Sequence, residues 1–190
     1  MKNKLIGVDE VGRGCLAGPV VACAVFIPPG VDTTEFKDSK KLSKRKREEI
    51  SEYIKRTCLF GIGEVSPKKI DEINILQATF LAMRIAIDSL DIAESEKSQH
   101  HLLIDGDKFP GYSGISHECV IKGDSLYKCI SAASIVAKVH RDKLMSDLSP
   151  NFSQYLWESN SGYGTRDHMD AIEKHGLTDH HRRSFCSRFL

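Results

Sequence analysis

Apolar residues along this chain follow two rhythms, and the changes between them mark its elements. Leu5, Ile6, Val8 and Val11 form a short apolar run bounded by Gly12, which suits a largely buried strand. Residues 19–27 are rich in β-branched side chains and stop at Pro28-Pro29-Gly30, predicting a second strand. Ser43 is placed to cap a helix running to Arg56, and a strand is expected over 59–65. Ser66-Pro67 is a helix start, with Ser at the cap and Pro in the first turn. Ile70, Ile73, Leu76, Phe80, Leu81 and Ile85 give that helix one apolar stripe, reaching towards Leu90. Residues 93–99 read as a polar turn or loop. Residues 101–104 form an apolar strand ending in Asp105-Gly106, and Cys119-Val120-Ile121 repeats the pattern before Lys122-Gly123-Asp124. One helix is expected from Ser125 to Leu148, its middle lined with small residues that permit close packing on a sheet. Gly162-Tyr163-Gly164 is a loop, Thr165 caps a last helix to His175, and the chain ends in a basic tail. Strands first, then strands alternating with helices, predict an α/β protein with a mixed sheet covered by helices.

Three of these strands end in acid: Asp9-Glu10, Asp105 and Asp124. Carboxylates there are costly, and Asp9 and Glu10 have no basic neighbour before Arg13. In open α/β sheets the strand ends are where sites gather, so the four acids can converge. Clustered without a counter-ion they would repel and raise one another's pKa values. Divalent cations relieve that repulsion, and all-oxygen ligation favours Mg²⁺ or Mn²⁺ over zinc. Two such ions form a clamp for in-line displacement at phosphorus. A single strand-end Asp can equally be a turn residue. Asp107 is expected to be solvated in its loop.

Composition narrows the class. With 190 residues the chain fits one domain, 1–190. A net charge of +1 does not advertise a polyanionic partner, but residues 37–47 hold a strong basic run in which Lys40 and Lys41 are the best candidates for phosphate contacts. The other charges there are in part a solvated helix face. Six scattered cysteines without C-x-x-C spacing, and no signal peptide, predict reduced, mostly buried thiols in a cytoplasmic protein. No stretch is apolar enough for a bilayer, so no membrane partner is expected. The eight histidines include two adjacent pairs but no zinc-binding spacing. His181 and Arg182 are expected to pack beside the site without chemistry, and Arg141-Asp142 to form an internal pair.

The motifs G-V-D-E-V-G-R-G-C-L-A-G-P-V-V (7–21), D-S-K-K-L-S (38–43), L-I-D-G (103–106), K-G-D (122–124), S-A-A-S-I-V-A-K-V-H-R-D (131–142), G-Y-G-T (162–165) and H-R-R-S-F (181–185) span the chain in order. In these the sequence resembles bacterial ribonuclease HII. The resemblance implies an RNase H-like fold, a mixed sheet flanked by helices with a small helical C-terminal part. It implies an endonuclease, dependent on Mn²⁺ or Mg²⁺, that cuts the RNA strand of RNA–DNA hybrids and cuts 5′ of single ribonucleotides in duplex DNA. Its products would carry 3′-hydroxyl and 5′-phosphate ends, in ribonucleotide and primer removal. Asp9, Glu10, Asp105 and Asp124 would be the catalytic, metal-binding quartet, Gly12, Arg13 and Gly14 the substrate-reading turn, and Tyr163 the junction-sensing tyrosine. The related type HIII enzymes generally carry an extra N-terminal domain, whereas here the acidic strand lies within the first residues. A monomer suffices for all of this.

Two other classes compete. Gly12-Arg13-Gly14-Cys15-Leu16-Ala17 matches G-x-G-x-x-A, with Asp32 at the distance of a ribose-binding acid, but those glycines should open a helix and here precede a strand. A non-catalytic nucleic-acid module using the basic run would leave the strand-end acids unexplained.

Overall fold

The computed structural model describes residues 4–37, 39 and 42–190. Its sheet has five strands in the order β3-β2-β1-β4-β5. These are β1 (Lys4–Val11), β2 (Val20–Phe26), β3 (Leu59–Val65), β4 (His100–Asp105) and β5 (Ser116–Val120). β1, β2 and β3 form an antiparallel meander, while β4 runs parallel to β1 and β5 parallel to β4. The first three strands and β4 fall where the apolar runs predict them. The strand in place of a helix after Gly12–Ala17 removes the dinucleotide-binding alternative.

Helices cover both faces. One face meets α2 (Pro67–Asp88), whose Ala78, Ala82, Met83 and Ala86 pack on Ile6, Val8, Ala22 and Ala24. The other meets α1 (Lys44–Thr57) and α4 (Lys128–Leu148), whose Ile50, Ile54, Ala132, Ala133 and Val136 pack on Val21, Cys23 and Val25. Between β5 and α4 lies the short α3 (Gly123–Leu126). Beyond α4, α5 (Trp157–Asn160) and α6 (Arg166–His175) enclose a smaller core around Tyr155, Trp157 and Ile172. The expected caps form: the hydroxyls of Ser43, Ser66 and Thr165 accept from the amides of Lys46, Lys69 and His168. Five of the six cysteines are buried, and all six are free thiols. No helix among the described residues is long and apolar enough to cross a membrane.

Four expectations need correction. The helix after Ser66 is kinked at Asn74 (φ 65°), whose side chain accepts from the Gln77 amide and so re-caps the second half. Residues 94–99, expected as a polar turn or loop, are wound into a 3₁₀ helix. The helix expected from Ser125 is broken by extended backbone at Tyr127. Lastly, β5 ends at Val120, one residue before the apolar run does, and Ile121 is left 69% exposed. Periodicity cannot see that break, because Lys122 turns the chain through a left-handed conformation (φ 57°).

Close approach of helix to sheet depends on glycines. A Cβ on Gly7 would lie 2.1 Å from the Cys129 carbonyl carbon, so α4 can rest on β1 only where that side chain is missing. Gly7→Ala is expected to destabilise the fold by about 1–3 kcal/mol or more, because backbone must move to admit the methyl. Urea unfolding measures this, and an unchanged midpoint would contradict the packing account.

Candidate active site

Parallel pairing of β1 and β4 sets the site. Val8 pairs with Ile104 at the last register position, so the next residues of the two strands, Asp9 and Asp105, stand side by side where β1 and β4 part. Asp9 is 5% exposed and points to the α4 face, where Ser134 supplies a side-chain hydrogen bond. Ser134 in turn hydrogen-bonds the hydroxyl of Ser39 at 3.1 Å. Asp9 Oδ1 also accepts from the Glu10 amide at 2.7 Å. Glu10 pairs with Arg13 at 3.4 Å.

Asp124 reaches the same place by another route. It sits in the first turn of α3, not on a strand end as the sequence suggests. The Gly123 amide donates to Asp105 Oδ1 at 2.7 Å, and a Cβ on Gly123 would stand 2.5 Å from Ile130 Cδ1 and 3.3 Å from that carboxylate oxygen. Glycine there lets the turn close on Asp105 and brings Asp124 to the cleft.

Asp9, Glu10, Asp105, Asp124 and Tyr163 all line one cleft of about 220 Å³. Among the described residues no three acidic, histidine or cysteine side chains are already drawn into a closed metal-binding group. The donor set still fits a hard cation, since four carboxylates line one small cleft. Burial, then the charges of Glu10 and Asp105, push the Asp9 carboxyl well above its ordinary range. Burial raises Glu10 as well, opposed by Arg13 and reinforced by Asp105.

Gly12, Arg13 and Gly14 lie immediately beyond β1, with Arg13 and Gly14 exposed. Tyr163 is 39% exposed at the cleft edge. Its ring lies near Lys138 Nζ and Arg141 Cζ, 5.6 and 5.8 Å from the centroid. Behind it, His168 Nδ1 sits 2.8 Å from the Tyr163 carbonyl oxygen and must donate, so its Nε2 accepts from the Trp157 indole at 3.1 Å. Burial lowers the pKa of His168 and takes that of His181 to about 4, keeping this network neutral. Lys40 and Lys41 lie outside the described residues. Asp107 is exposed in its loop as expected.

Several participants escape sequence reading. Ser134, Lys138 and Arg47 line the cleft. Arg47 belongs to the basic run, yet its guanidinium donates to the Ser39 and Leu42 carbonyls instead of standing in solvent. The expected Arg141–Asp142 pair does not form. Asp142 meets Lys138 at 2.7 Å and Arg47 at 3.8 Å, while Arg141 faces the other way, towards main-chain carbonyls. Adjacent helix residues diverge, so sequence neighbours could not have paired. In the basic tail His181 and Arg182 are buried, as their expected packing requires.

The raised carboxyl pKa values carry a stability consequence. A carboxyl raised on folding binds more protons in the native than in the unfolded chain, so stability falls as pH rises through that window. Asp9→Asn should therefore raise the melting temperature of the metal-free protein at pH 7, by about 2–4 °C per kcal/mol relieved, with a shrinking gain as pH falls and Asp9 becomes protonated. Thermal unfolding in chelator at several pH values measures it. A loss of stability at pH 7 would show that Asp9 is not held against repulsion.

Comparison with known proteins gives the family and the fold. The ribonuclease HII family model matches residues 6–188. The chain is 50% identical over 181 residues to the ribonuclease HII of Pelagibacter ubique, covering 95% of each. Ribonuclease H2 from Pyrococcus horikoshii superposes with a TM-score of 0.77 at 26% identity, over 97% of this chain and 98% of that one. A Bst-RNase HIII solved in complex with Mn²⁺ shares the fold, with a TM-score of 0.75 at 17% identity, over 99% of this chain and 70% of that one.

Proposed function

We propose, for a chain that belongs to the ribonuclease HII family and is thus a ribonuclease H hydrolase, that its acidic cleft cuts RNA–DNA hybrids and cuts duplex DNA 5′ of a single ribonucleotide. The observation that carries this reading is the meeting of Asp9, Glu10, Asp105 and Asp124 in one cleft with Tyr163 at its edge and the Gly12-Arg13-Gly14 turn just beyond the acidic strand.

Asp9, Glu10, Asp105 and Asp124 would hold two divalent ions, Mg²⁺ or Mn²⁺, the latter being the ion in the Bst-RNase HIII structure. When bound, such ions lower the pKa of an attacking water and stabilise the departing 3′-oxygen, leaving 3′-hydroxyl and 5′-phosphate ends. The chain's own residues position and select. Ser134 fixes the Asp9 carboxylate. Gly14 has open space around its Cα, where a Cβ would meet nothing within 4 Å, so a sugar can approach the backbone closely and present its 2′-hydroxyl to it. Tyr163 offers a ring face to the sugar of the next nucleotide, where a second 2′-hydroxyl would crowd it. Lys40 and Lys41 would follow the phosphates. The whole chain, 1–190, works as one catalytic domain and as a monomer in the cytoplasm, removing ribonucleotides and RNA primers from DNA.

Gel mapping of cleavage on a duplex with one ribonucleotide and on a uniform hybrid tests this. Wild type should cut both, and 5′ of the lone ribonucleotide, with all cutting lost in chelator. Tyr163→Ala should lose more on the lone ribonucleotide, by about the 1–3 kcal/mol of one stacking contact. Equal losses would reduce Tyr163 to a general contact, and failure of wild type to cut at the lone ribonucleotide would overturn the junction reading.

A further inference from the structure

Two arginines buried behind the cleft are used by none of the steps above. Arg182 is fully buried, and its guanidinium donates only to backbone oxygens: Nε and Nη2 to Gly18 at 3.0 and 2.9 Å, Nη1 to Arg13 at 2.9 Å. Arg141, equally buried, donates to Pro19 at 2.9 Å, Ser161 at 2.7 Å and Ala17 at 2.9 Å. Removing a guanidinium from water is costly, and two or three main-chain carbonyls are a weaker counterpart than a carboxylate. So expensive an arrangement fixes the backbone of residues 13–19 in one conformation.

The contact at Arg13 has a directional consequence. The described peptide bonds are all trans, so the Arg13 carbonyl and the Gly14 N–H point in opposite directions. With the carbonyl turned inward to Arg182, the Gly14 N–H must face outward, on the side where Gly14 is exposed. The same scaffold reaches Tyr163. Leu16 and Ala17 amides donate to the Gly162 carbonyl at 2.9 and 3.2 Å, and Arg141 holds Ser161 and Ala17 together. Space is reserved for it, because a Cβ on Gly12 would lie 2.2 Å from Arg141 Nε. Gly12 thus admits the arginine, and Gly14 is the glycine that faces a ligand.

We propose that Arg182, backed by Arg141, is a positioning residue for ribonucleotide recognition: it turns the Gly14 N–H outward as a preset donor to a 2′-hydroxyl and locks that turn to the Tyr163 loop. This deepens the proposed function and rests on it. Lysine cannot replace the planar fork, since one ammonium cannot bridge the Gly18 and Arg13 carbonyls in the same plane.

The test compares affinities of wild type and Arg182→Lys for a duplex with one ribonucleotide and for the same all-DNA duplex, at a temperature where both proteins are folded by circular dichroism. The preference for the ribonucleotide should fall about two- to tenfold, the worth of one hydrogen bond, while all-DNA affinity stays within about twofold. A purely structural arginine would lower both affinities together, and that result, or an unchanged preference, overturns the proposal. Wild type showing no preference at all would instead overturn the 2′-hydroxyl reading beneath it. Should Arg182→Lys not fold, ¹⁵N-labelled Asp105→Asn with Mg²⁺ gives the second measurement. Its Gly14 amide signal should shift with the ribonucleotide duplex and not with all-DNA; equal shifts contradict the assignment.

Discussion

The parallel pairing of β1 with β4 is the constraint from which the rest follows. It sets Asp9 and Asp105 side by side where the two strands part, and α4, seated closely over Gly7, covers the face to which Asp9 points. Burial raises the pKa values of both Asp9 and Glu10, and the neighbouring Asp105 charge adds to the rise. The fold therefore keeps its acids in a state that a cation would relieve. On the proposed reading this is the physical origin of a divalent requirement, set by strand register more than by any single side chain.

A second layer of order stands behind the cleft. The turn after β1 and the loop carrying Tyr163 are distant in sequence but share hydrogen bonds through Gly162, Arg141 and Arg182. The neutral His168 fixes the Tyr163 carbonyl from the other side. Groups proposed to read the sugar are thereby set before a substrate arrives, which reduces the ordering cost of binding. The C-terminal segment contributes to this directly, because Arg182 reaches the first loop of the chain.

Much of this was legible in the sequence, for reasons that differ by residue. Ile6, Val8 and the β-branched run of β2 reveal themselves by period, and Ser43, Ser66 and Thr165 by capping chemistry. The four acids are visible because carboxylates at the ends of apolar runs are unusual. Asp124 was placed on the wrong element because the left-handed Lys122 leaves no mark on hydrophobic period. Arg141 was assigned the wrong partner and Arg182 no partner at all, because theirs are carbonyls from distant loops. No side-chain pattern announces a main-chain acceptor. Ser134 and Gly7 were hidden likewise among small residues, whose purpose appears only when two backbones approach.

The central claim, that register-enforced acids form a divalent cation site, is tested most directly by diffraction from crystals soaked in Mn²⁺, using its anomalous signal. The account predicts Mn²⁺ in the cleft, touching the carboxylates of both Asp9 and Asp105, and lost from Asp105→Asn crystals of the same form. Mn²⁺ absent from the cleft at concentrations that support cleavage, or bound only away from these two side chains, would contradict it.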